Sequence, residues 1–554
     1  MRKLQPVRGT SQTKETNLRP TRIEPHCRVY TFSERREQYG TSKVMTRRTA
    51  LAFLLALSLL YCLAELVPGR IPVTDEVFFK AAGRNWANTG RFAAPELKGY
   101  FNSPLVPRAD DIFFAYPPIY PFLFGVYTKI VGFGPRSCIL YDVLIHLLLI
   151  WCGALVARFV FGASRGASVF CGALLLPLGT VGRPDELGIV FALCAALALR
   201  TEVPLKIGIP IGGALLGLTC ATSLGACLFL GTLVGCEVTL RERSYLAKFR
   251  NLAIAALIAI VVLAVCVAPI LVPHPLAYRQ LATSTASQSV LGNANSGGYH
   301  SSGRSFLQLW QEAVWFGYDR ALPIVGGLTF LFLCWLLNNN SAAIVYSRFV
   351  LVILSLLLLL FLMPGKYTYL WFQGSWLLIA CVALGERVSQ SLPAGRRRLL
   401  LTAGALICVI VSLPYFRWKA ILWTLPPDQT LTFNTKIVRD ELPKGASVLT
   451  TEYWWALADR NPTYDTEFSN PGLDSLDYIA VTGNGTGRPG APMLPSIANG
   501  ASQWQNIDNH LRTSEPSVLG FRLSKSAYGF GPYILKKSNQ GEAATPAANP
   551  IGKS

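Results

Sequence analysis

Charge is scarce in this chain. Only 15% of its 554 residues are Asp, Glu, Lys or Arg, whereas soluble domains carry roughly 25%. With a mean hydropathy of +0.37, that scarcity excludes an ordinary soluble protein. Acidic residues are scarcer than basic ones, 31 against 51, for a net charge of +20. The basic residues do not gather on one soluble stretch, as a nucleic-acid surface requires. They punctuate the gaps between apolar runs. No CxxC or Cys/His metal spacing occurs, and none of the 13 cysteines lies beyond Leu425. The cysteines, such as Cys152, Cys194, Cys220 and Cys266, sit mostly in apolar runs. They read as small packing residues with no disulfide framework. No solenoid-type repeat is present.

What is present is a series of long apolar runs. Leu252 to Val272, Phe349 to Met363 and Leu399 to Leu413 approach the roughly 20 residues that cross a hydrocarbon core. The chain is expected to be a polytopic α-helical membrane protein with about eleven spans. Their approximate ranges are 49–67, 137–160, 165–181, 187–200, 206–221, 222–238, 249–272, 321–338, 347–363, 368–385 and 398–416. Pro117 to Val131 is apolar but short, opens on Pro117-Pro118 and carries Lys129, so it reads as interfacial or re-entrant.

The basic connections fix orientation. Arg158/Arg165, Arg200/Lys206, Arg241/Arg243/Lys248/Arg250, Arg348 and Arg387/Arg396/Arg397/Arg398 belong inside by the positive-inside bias. Residues 1–48 are basic, polar and aperiodic, expected to be disordered and cytoplasmic. Met45-Thr46-Arg47-Arg48 before the apolar run has the look of a natural start. The transmembrane domain is expected over 49–420, with large external loops at 68–136 and 273–320. Residues 425–540 read as a small extracytoplasmic α/β domain, with strands at Ala446–Thr451 and Asp477–Thr482. Residues 541–554 read as a disordered tail.

Three constellations carry candidate chemistry. Thr74-Asp75-Glu76 follows the first span by a short turn and so lies at the membrane surface. A carboxylate there could deprotonate a water-borne group beside a lipid-borne one. The pair reads equally as a solvated loop or a helix N-cap. Arg183-Pro184-Asp185-Glu186 falls at the external end of an apolar hairpin, where ionisable groups are costly. Its carboxylates could bind a divalent metal, stabilise a cationic acceptor, or pair with Arg183. Lys366 stands on the external side against the charge bias, flanked by Tyr367 and Tyr369. It suits the phosphate of a lipid carrier, or it snorkels to headgroups. His274, Arg279, His300 and Arg304 share the second external loop, but no spacing unites them. Trp454-Trp455 is either a sugar-stacking platform or core packing of the small domain.

The order of these motifs resembles the GT-C superfamily of lipid-dependent glycosyltransferases. The nearest branch resembles protein O-mannosyltransferases, bacterial aminoarabinose transferase and the Rgt-like family, over Ala50 to about Gly385. The resemblance is carried by four motifs in sequence: Asp75-Glu76, Tyr116-Pro117-Pro118-Ile119-Tyr120 running to Gly132-Phe133-Gly134, Arg183-Pro184-Asp185-Glu186, and Lys366-Tyr367-Thr368-Tyr369-Leu370. It implies transfer of a hexose or pentose, with inversion, from a polyprenyl-phosphate carrier to an extracytoplasmic glycan, lipid or protein. It makes Asp75 the general base, with Glu76 beside it as the second catalytic candidate. It assigns Lys366, Tyr367, Tyr369, Arg183, Tyr116 and Tyr120 to the substrate. A divalent cation (Mg or Mn) at Asp185 and Glu186 is conditional on the branch. The implied setting is the bacterial inner membrane, with the bilayer as partner, no nucleic acid, and the site outside. The rival expectations are a transporter or flippase and an O-antigen-ligase-like protein. A transporter predicts repeat symmetry and broken midplane helices, and the ligase predicts a basic late loop.

Overall fold

The computed structural model describes residues 45–67, 69–99 apart from 71 and 73, 108–178 apart from 114–115, 182–223 apart from 201–202, 244–273, 392–425, 430–466, 469, 473–482, 504–509, 517–518, 521–522 and 532–538, with isolated positions between 226 and 386. The expected N-terminal segment up to residue 44, nearly all of the second external loop, the spans at 222–238, 321–338, 347–363 and most of 368–385, and the 541–554 tail lie outside them.

The first helix, α1 (Arg47–Leu66), starts where Thr46 accepts a hydrogen bond from the Thr49 amide at 3.1 Å. Leu51, Phe53, Leu55 and Leu59 face outward, while Leu54, Tyr61, Ala64 and Glu65 turn inward. That helical stripe is the pattern of a helix with one face on lipid and one on protein. The chain then folds into α2 (Thr74–Thr89) and α3 (Ile119–Val131). α3 has 13 residues, too few to span. It lies against α2 at a crossing where backbones nearly touch. A Cβ on Gly83 would fall 1.8 Å from the Pro121 carbonyl oxygen, so only glycine permits the approach.

Next come α4 (Pro135–Phe159), α5 (Arg165–Leu175), α6 (Pro184–Ala198), α7 (Leu205–Cys220) and α8 (Tyr245–Leu271). α4 is the hub, packed on α1, α5 and α6. Among the described helices α1, α4 and α8 are long and apolar enough to cross a membrane. The cysteine expectation needs one correction. Cys220, at the end of α7, is disulfide-bonded, while Cys62, Cys138, Cys152, Cys171, Cys194 and Cys266 are free.

A 30-residue helix, α9 (Ala394–Trp423), returns to the bundle and leads into the tail. There α10 (Leu431–Glu441), β1 (Val448–Leu449), α11 (Trp454–Leu457), β2 (Thr463–Tyr464), β3 (Tyr478–Thr482), β4 (Trp504–Asn509), β5 (Ser517–Val518), β6 (Phe521–Arg522) and β7 (Pro532–Lys537) follow in turn. The main sheet has the order β2-β1-β3-β7-β4. The first three strands are parallel, and β7 runs antiparallel to β3 and β4. Strand alternation divides its core. Val448, Tyr478, Ala480 and Ile534 pack on Val438 and Leu442 of α10, and Leu449, Ile479, Val481 and Trp504 fill the other face.

The tail does not stand apart. Trp454 and Trp455 of α11 are buried in the same apolar cluster as α2, α3 and α4. The Trp454 indole donates to Glu96 Oε1 at 3.2 Å, and the Asp465 amide donates to the Glu96 carbonyl at 2.9 Å. Glu96 belongs to a short 3-10 turn of the first loop, Pro95–Leu97. The Trp454 ring meets Phe133 edge-on at 5.3 Å. The tryptophan pair is thus neither a sugar platform nor the core of the small domain. It is the joint between the tail and the first loop.

Candidate active site

α2 carries two adjacent carboxylates into two different environments. Its residues 75 and 79 lie one turn apart on one face, and 76 and 80 on the next. Asp75 stands in the first turn with its side chain 42% exposed. Arg183 donates to Asp75 Oδ2 through Nη1 and to Asp185 Oδ2 through Nε at 3.1 Å. The guanidinium lies 5.5 Å from the Phe79 ring centroid, a cation–π distance. Tyr116 closes that corner, edge-on to Phe79 at 4.7 Å. The other oxygen of Asp75 accepts no hydrogen bond from the described residues. The sequence motifs at 75, 116 and 183 therefore converge at one point.

Asp185 is fully buried at the start of α6. Besides Arg183 it receives a hydrogen bond from the Ser223 hydroxyl, 2.7 Å from Oδ1. Glu186 turns away into the bundle and meets His146 Nδ1 of α4. His146 Nε2 lies 3.1 Å from the Leu176 carbonyl oxygen. This seam of polar side chains continues through Tyr61, 4.5 Å from His146 between ring centroids, to Tyr415. The Tyr415 hydroxyl donates to Glu65 at 2.8 Å, and Lys419 donates to the same carboxylate at 2.6 Å.

Glu76 faces a closed charge cluster. Arg70 donates to both its oxygens, and Lys80 donates to Oε1 at 2.8 Å. The same two cations reach Asp142 Oδ2 of α4, at 2.5 Å from Arg70 and 2.8 Å from Lys80. The two cations and two carboxylates neutralise one another. Glu76 and Lys80 are fully buried, where an unpaired charge would be prohibitive. The Trp455 ring caps the cluster, 4.9 Å from the Arg70 guanidinium and 5.7 Å from the Lys80 ammonium. Burial alone would raise the Glu76 pKa, but Arg70 and then Lys80 outweigh it and hold the carboxyl at about 2. Burial works against the charged forms of Lys80 and Arg70 too, and the facing carboxylates overcome it and raise both.

These positions change what two candidates can do. Glu76 is shut away from solvent and committed to Arg70 and Lys80, so it braces α2 while Asp75 faces out. Tyr120 opens α3 and points inward. It is fully buried, and its hydroxyl donates to Asp142 Oδ1 at 3.3 Å. It braces the same cluster and presents no surface to a substrate. Lys366, Tyr367 and Tyr369 lie outside the described residues, as do Arg279, His300 and Arg304.

Asp185 and Glu186 do not fit a shared metal as they stand. Both oxygens of Asp185 are taken by Arg183 and Ser223, and Glu186 points to His146 on another side. Among the described residues no group of three or more His, Cys, Asp and Glu side chains is gathered to hold one.

Some of these residues left a trace in the sequence. Asp142 and His146 are ionisable residues four apart within an apolar span, which marks them for attention. Lys80 sits four residues beyond Glu76, the spacing of a helical ion pair. Arg70 and Ser223 left none: Arg70 reaches Glu76 across a turn outside the helix, and Ser223 lies 38 residues from Asp185.

No family model matches the chain, and no curated protein does. Solved structures do. ArnT from Cupriavidus metallidurans bound to undecaprenyl phosphate aligns with a TM-score of 0.56 at 11% identity, covering 88% of this chain and 98% of that one. The same protein in the apo state aligns at 0.55 and 12% identity, over 88% and 97%. A looser likeness, TM-score 0.45 at 16% identity, joins 90% of this chain to 42% of the mycobacterial arabinofuranosyltransferase AftD, and carries no weight here. The chain shares a fold with ArnT over 88% of its own length.

Proposed function

We propose that this chain, a polytopic protein of GT-C fold, is a membrane glycosyltransferase. It takes a sugar from a polyprenyl-phosphate carrier and delivers it, with inversion, to an extracytoplasmic acceptor. One observation carries the reading. Beyond the surface end of α1, Asp75 presents a partly exposed carboxylate with one oxygen anchored to Arg183 and the other taking no hydrogen bond from the described residues. That is the arrangement a general base needs, a fixed orientation and an accessible lone pair.

In the proposed step an acceptor hydroxyl or other nucleophile attacks the anomeric carbon from the face opposite the phosphate. The new bond forms as the carbon–oxygen bond to the carrier breaks. The acceptor proton passes to Asp75, and the electron pair leaves on the polyprenyl phosphate. Lys366 is proposed to offset that growing charge, with Tyr367 and Tyr369 lining the carrier's path. Arg183 and Tyr116 frame the sugar beside Asp75. No step runs through a metal.

The proposed setting is the bacterial inner membrane, with Asp75 and the tail outside. The disulfide at Cys220 supports that side, since it lies next to Ser223 and hence at the Asp185 end of the bundle. Disulfides persist in oxidising compartments. A flippase reading needs polar groups along a path through the bundle. The Asp75–Arg183 group instead sits at one end, and the Glu186–His146–Tyr61 seam is buried against itself and offers no open path.

Lipid analysis of a deletion strain tests the function. A polyprenyl-phosphate sugar should accumulate, and the missing glycan should name the acceptor. Purified protein in nanodiscs, given polyprenyl-phosphate hexoses and pentoses, should then release free polyprenyl phosphate. No accumulation in the strain together with no transfer in nanodiscs would overturn the reading.

A further inference from the structure

We infer that Ser223 is a positioning residue of the active site, acting on the base through Asp185 and Arg183. The inference rests on the transferase reading and goes beyond it. It assigns the Asp185 carboxylate to holding an arginine, and it brings in a residue from the far end of the α7 hairpin.

The geometry is a chain of directed contacts. Ser223 donates through Oγ to Asp185 Oδ1 at 2.7 Å. Asp185 Oδ2 accepts Arg183 Nε at 3.1 Å. Arg183 Nη1 then meets Asp75 Oδ2. Each contact fixes the next. A carboxylate is free to swing about its last torsion, and a bond to each oxygen stops it. A guanidinium is planar, so pinning Nε sets the direction in which Nη1 points. Phe79 beneath the guanidinium removes the remaining freedom, at 5.5 Å.

The backbone is built to bring Ser223 this close. Gly188 lies three residues after Asp185, on the same face of α6. A Cβ there would come 3.0 Å from the Ala226 Cβ and 3.2 Å from the Ser223 Cβ. A larger residue there would crowd the Ser223 backbone by a few tenths of an ångström. The Ser223 hydroxyl also caps the following turn, accepting the Ala226 amide at 3.3 Å. It therefore acts as acceptor to the backbone and donor to the carboxylate, so its single proton has one place to go. The neighbouring Thr222 makes a useful contrast. It is equally buried, but its hydroxyl donates to the Leu218 carbonyl at 2.7 Å.

Loss of the Ser223 hydroxyl should release Asp185, let Arg183 swing, and leave Asp75 without fixed direction. Undecaprenyl phosphate lacks the sugar that Arg183 frames, so its binding should survive. The test uses full-length protein in nanodiscs and the sugar donor that the wild type accepts. Undecaprenyl phosphate is the binding probe, and it also counts competent sites. Ser223→Ala should lower kcat per competent site by about tenfold, with undecaprenyl phosphate affinity unchanged. Thr222→Ala should retain wild-type turnover. Adding Ser223→Ala to Asp185→Ala should cost nothing further, because the hydroxyl then has no carboxylate to hold. Wild-type turnover in Ser223→Ala would overturn the positioning role. So would equal losses in Ser223→Ala and Thr222→Ala, or full additivity with Asp185→Ala. A wild type that transfers no sugar from any donor would instead remove the transferase reading, a distinct failure.

Discussion

Neutralising Glu76 is expected to unsettle this protein far more than neutralising its neighbour Asp75, although the two are adjacent in sequence. Glu76 is fully buried and receives hydrogen bonds from Arg70 and Lys80. Its carboxyl is carried from an ordinary 4.5 down to about 2. At about 1.36 kcal/mol per pH unit, the ionised form is favoured on folding by about 3 kcal/mol. The folded pKa is depressed, so this contribution is fully present above about pH 4.5 and is lost as pH falls towards 2. Glu76→Gln removes it at every pH and leaves Asp142 as the carboxylate that Arg70 and Lys80 share. Breaking a buried pair in this way costs about 3 to 5 kcal/mol, and the remaining carboxylate argues for the lower figure. The assay is thermal unfolding of detergent-purified protein between pH 8 and 3. Wild type should lose stability below about pH 4.5. Glu76→Gln should start lower at neutral pH and lack that component of the acid loss. Asp75→Asn should unfold within about 1 kcal/mol of wild type. Parallel pH curves for wild type and Glu76→Gln, at similar neutral stability, would refute the cluster's role.

Three further outcomes are expected. Asp75→Asn should lower turnover by at least about a hundredfold while binding undecaprenyl phosphate normally; near-native transfer by this variant would remove Asp75 as base. Gly182→Ala should misfold or lose the site, because Gly182 has φ +69° and a Cβ there would lie 2.0 Å from Glu76 Cγ; unfolding and activity assays that match wild type would contradict this packing. Lys366→Met keeps the apolar stem and loses the charge, so it should weaken donor dependence and slow transfer together; unchanged donor dependence would mean that Lys366 only snorkels.

Local patterns in the sequence were legible where a residue's partner lies on its own element. The span of α1 and the start of a helix at Asp75 follow from nearby residues. Strand β3 was expected at Asp477–Thr482 and is found at Tyr478–Thr482. Asp75 and Arg183 were both readable as candidates, yet nothing in either motif says that they touch, since 108 residues separate them. The different fates of Asp75 and Glu76 were also invisible. A helix turns about 100° per residue, so one carboxylate faces open space and the other faces α4, and only the position of α4 decides which. The surroundings of Tyr120, expected at the substrate, were invisible for the same reason. An aromatic at the start of an interfacial helix reads as exposed until Asp142 and Tyr141 are placed beneath it.

Sidedness shows how packing can replace counting. From the sequence, the tail's location rested on eleven spans, and a miscount of one would have moved it across the membrane. In the structure Trp454 is bonded to Glu96 of the first loop, and Trp455 covers Arg70 and Lys80 beside α2. A domain that shares a buried core with the first loop lies on the same side of the bilayer, whatever the number of helices between them. The basic residues agree. Arg158, Arg165, Arg200 and Lys206 stand at the end of α4, the start of α5, just beyond α6 and the start of α7. That is the opposite end of the bundle from Asp75 and Asp185. In the proposed orientation charge bias holds that end in the cytoplasm, and the tail then roofs the same outer face on which Asp75 opens. Removing the roof has a defined consequence. Trp455→Ala should open the Arg70–Glu76–Lys80–Asp142 cluster to water and lower thermal stability by about 3 kcal/mol, as for a large aromatic lost from a core. Protease cleavage between α9 and α10 should become faster at the same time. If Trp455→Ala unfolds and is cleaved like wild type, the tail is held elsewhere and its side must again be argued from helix count.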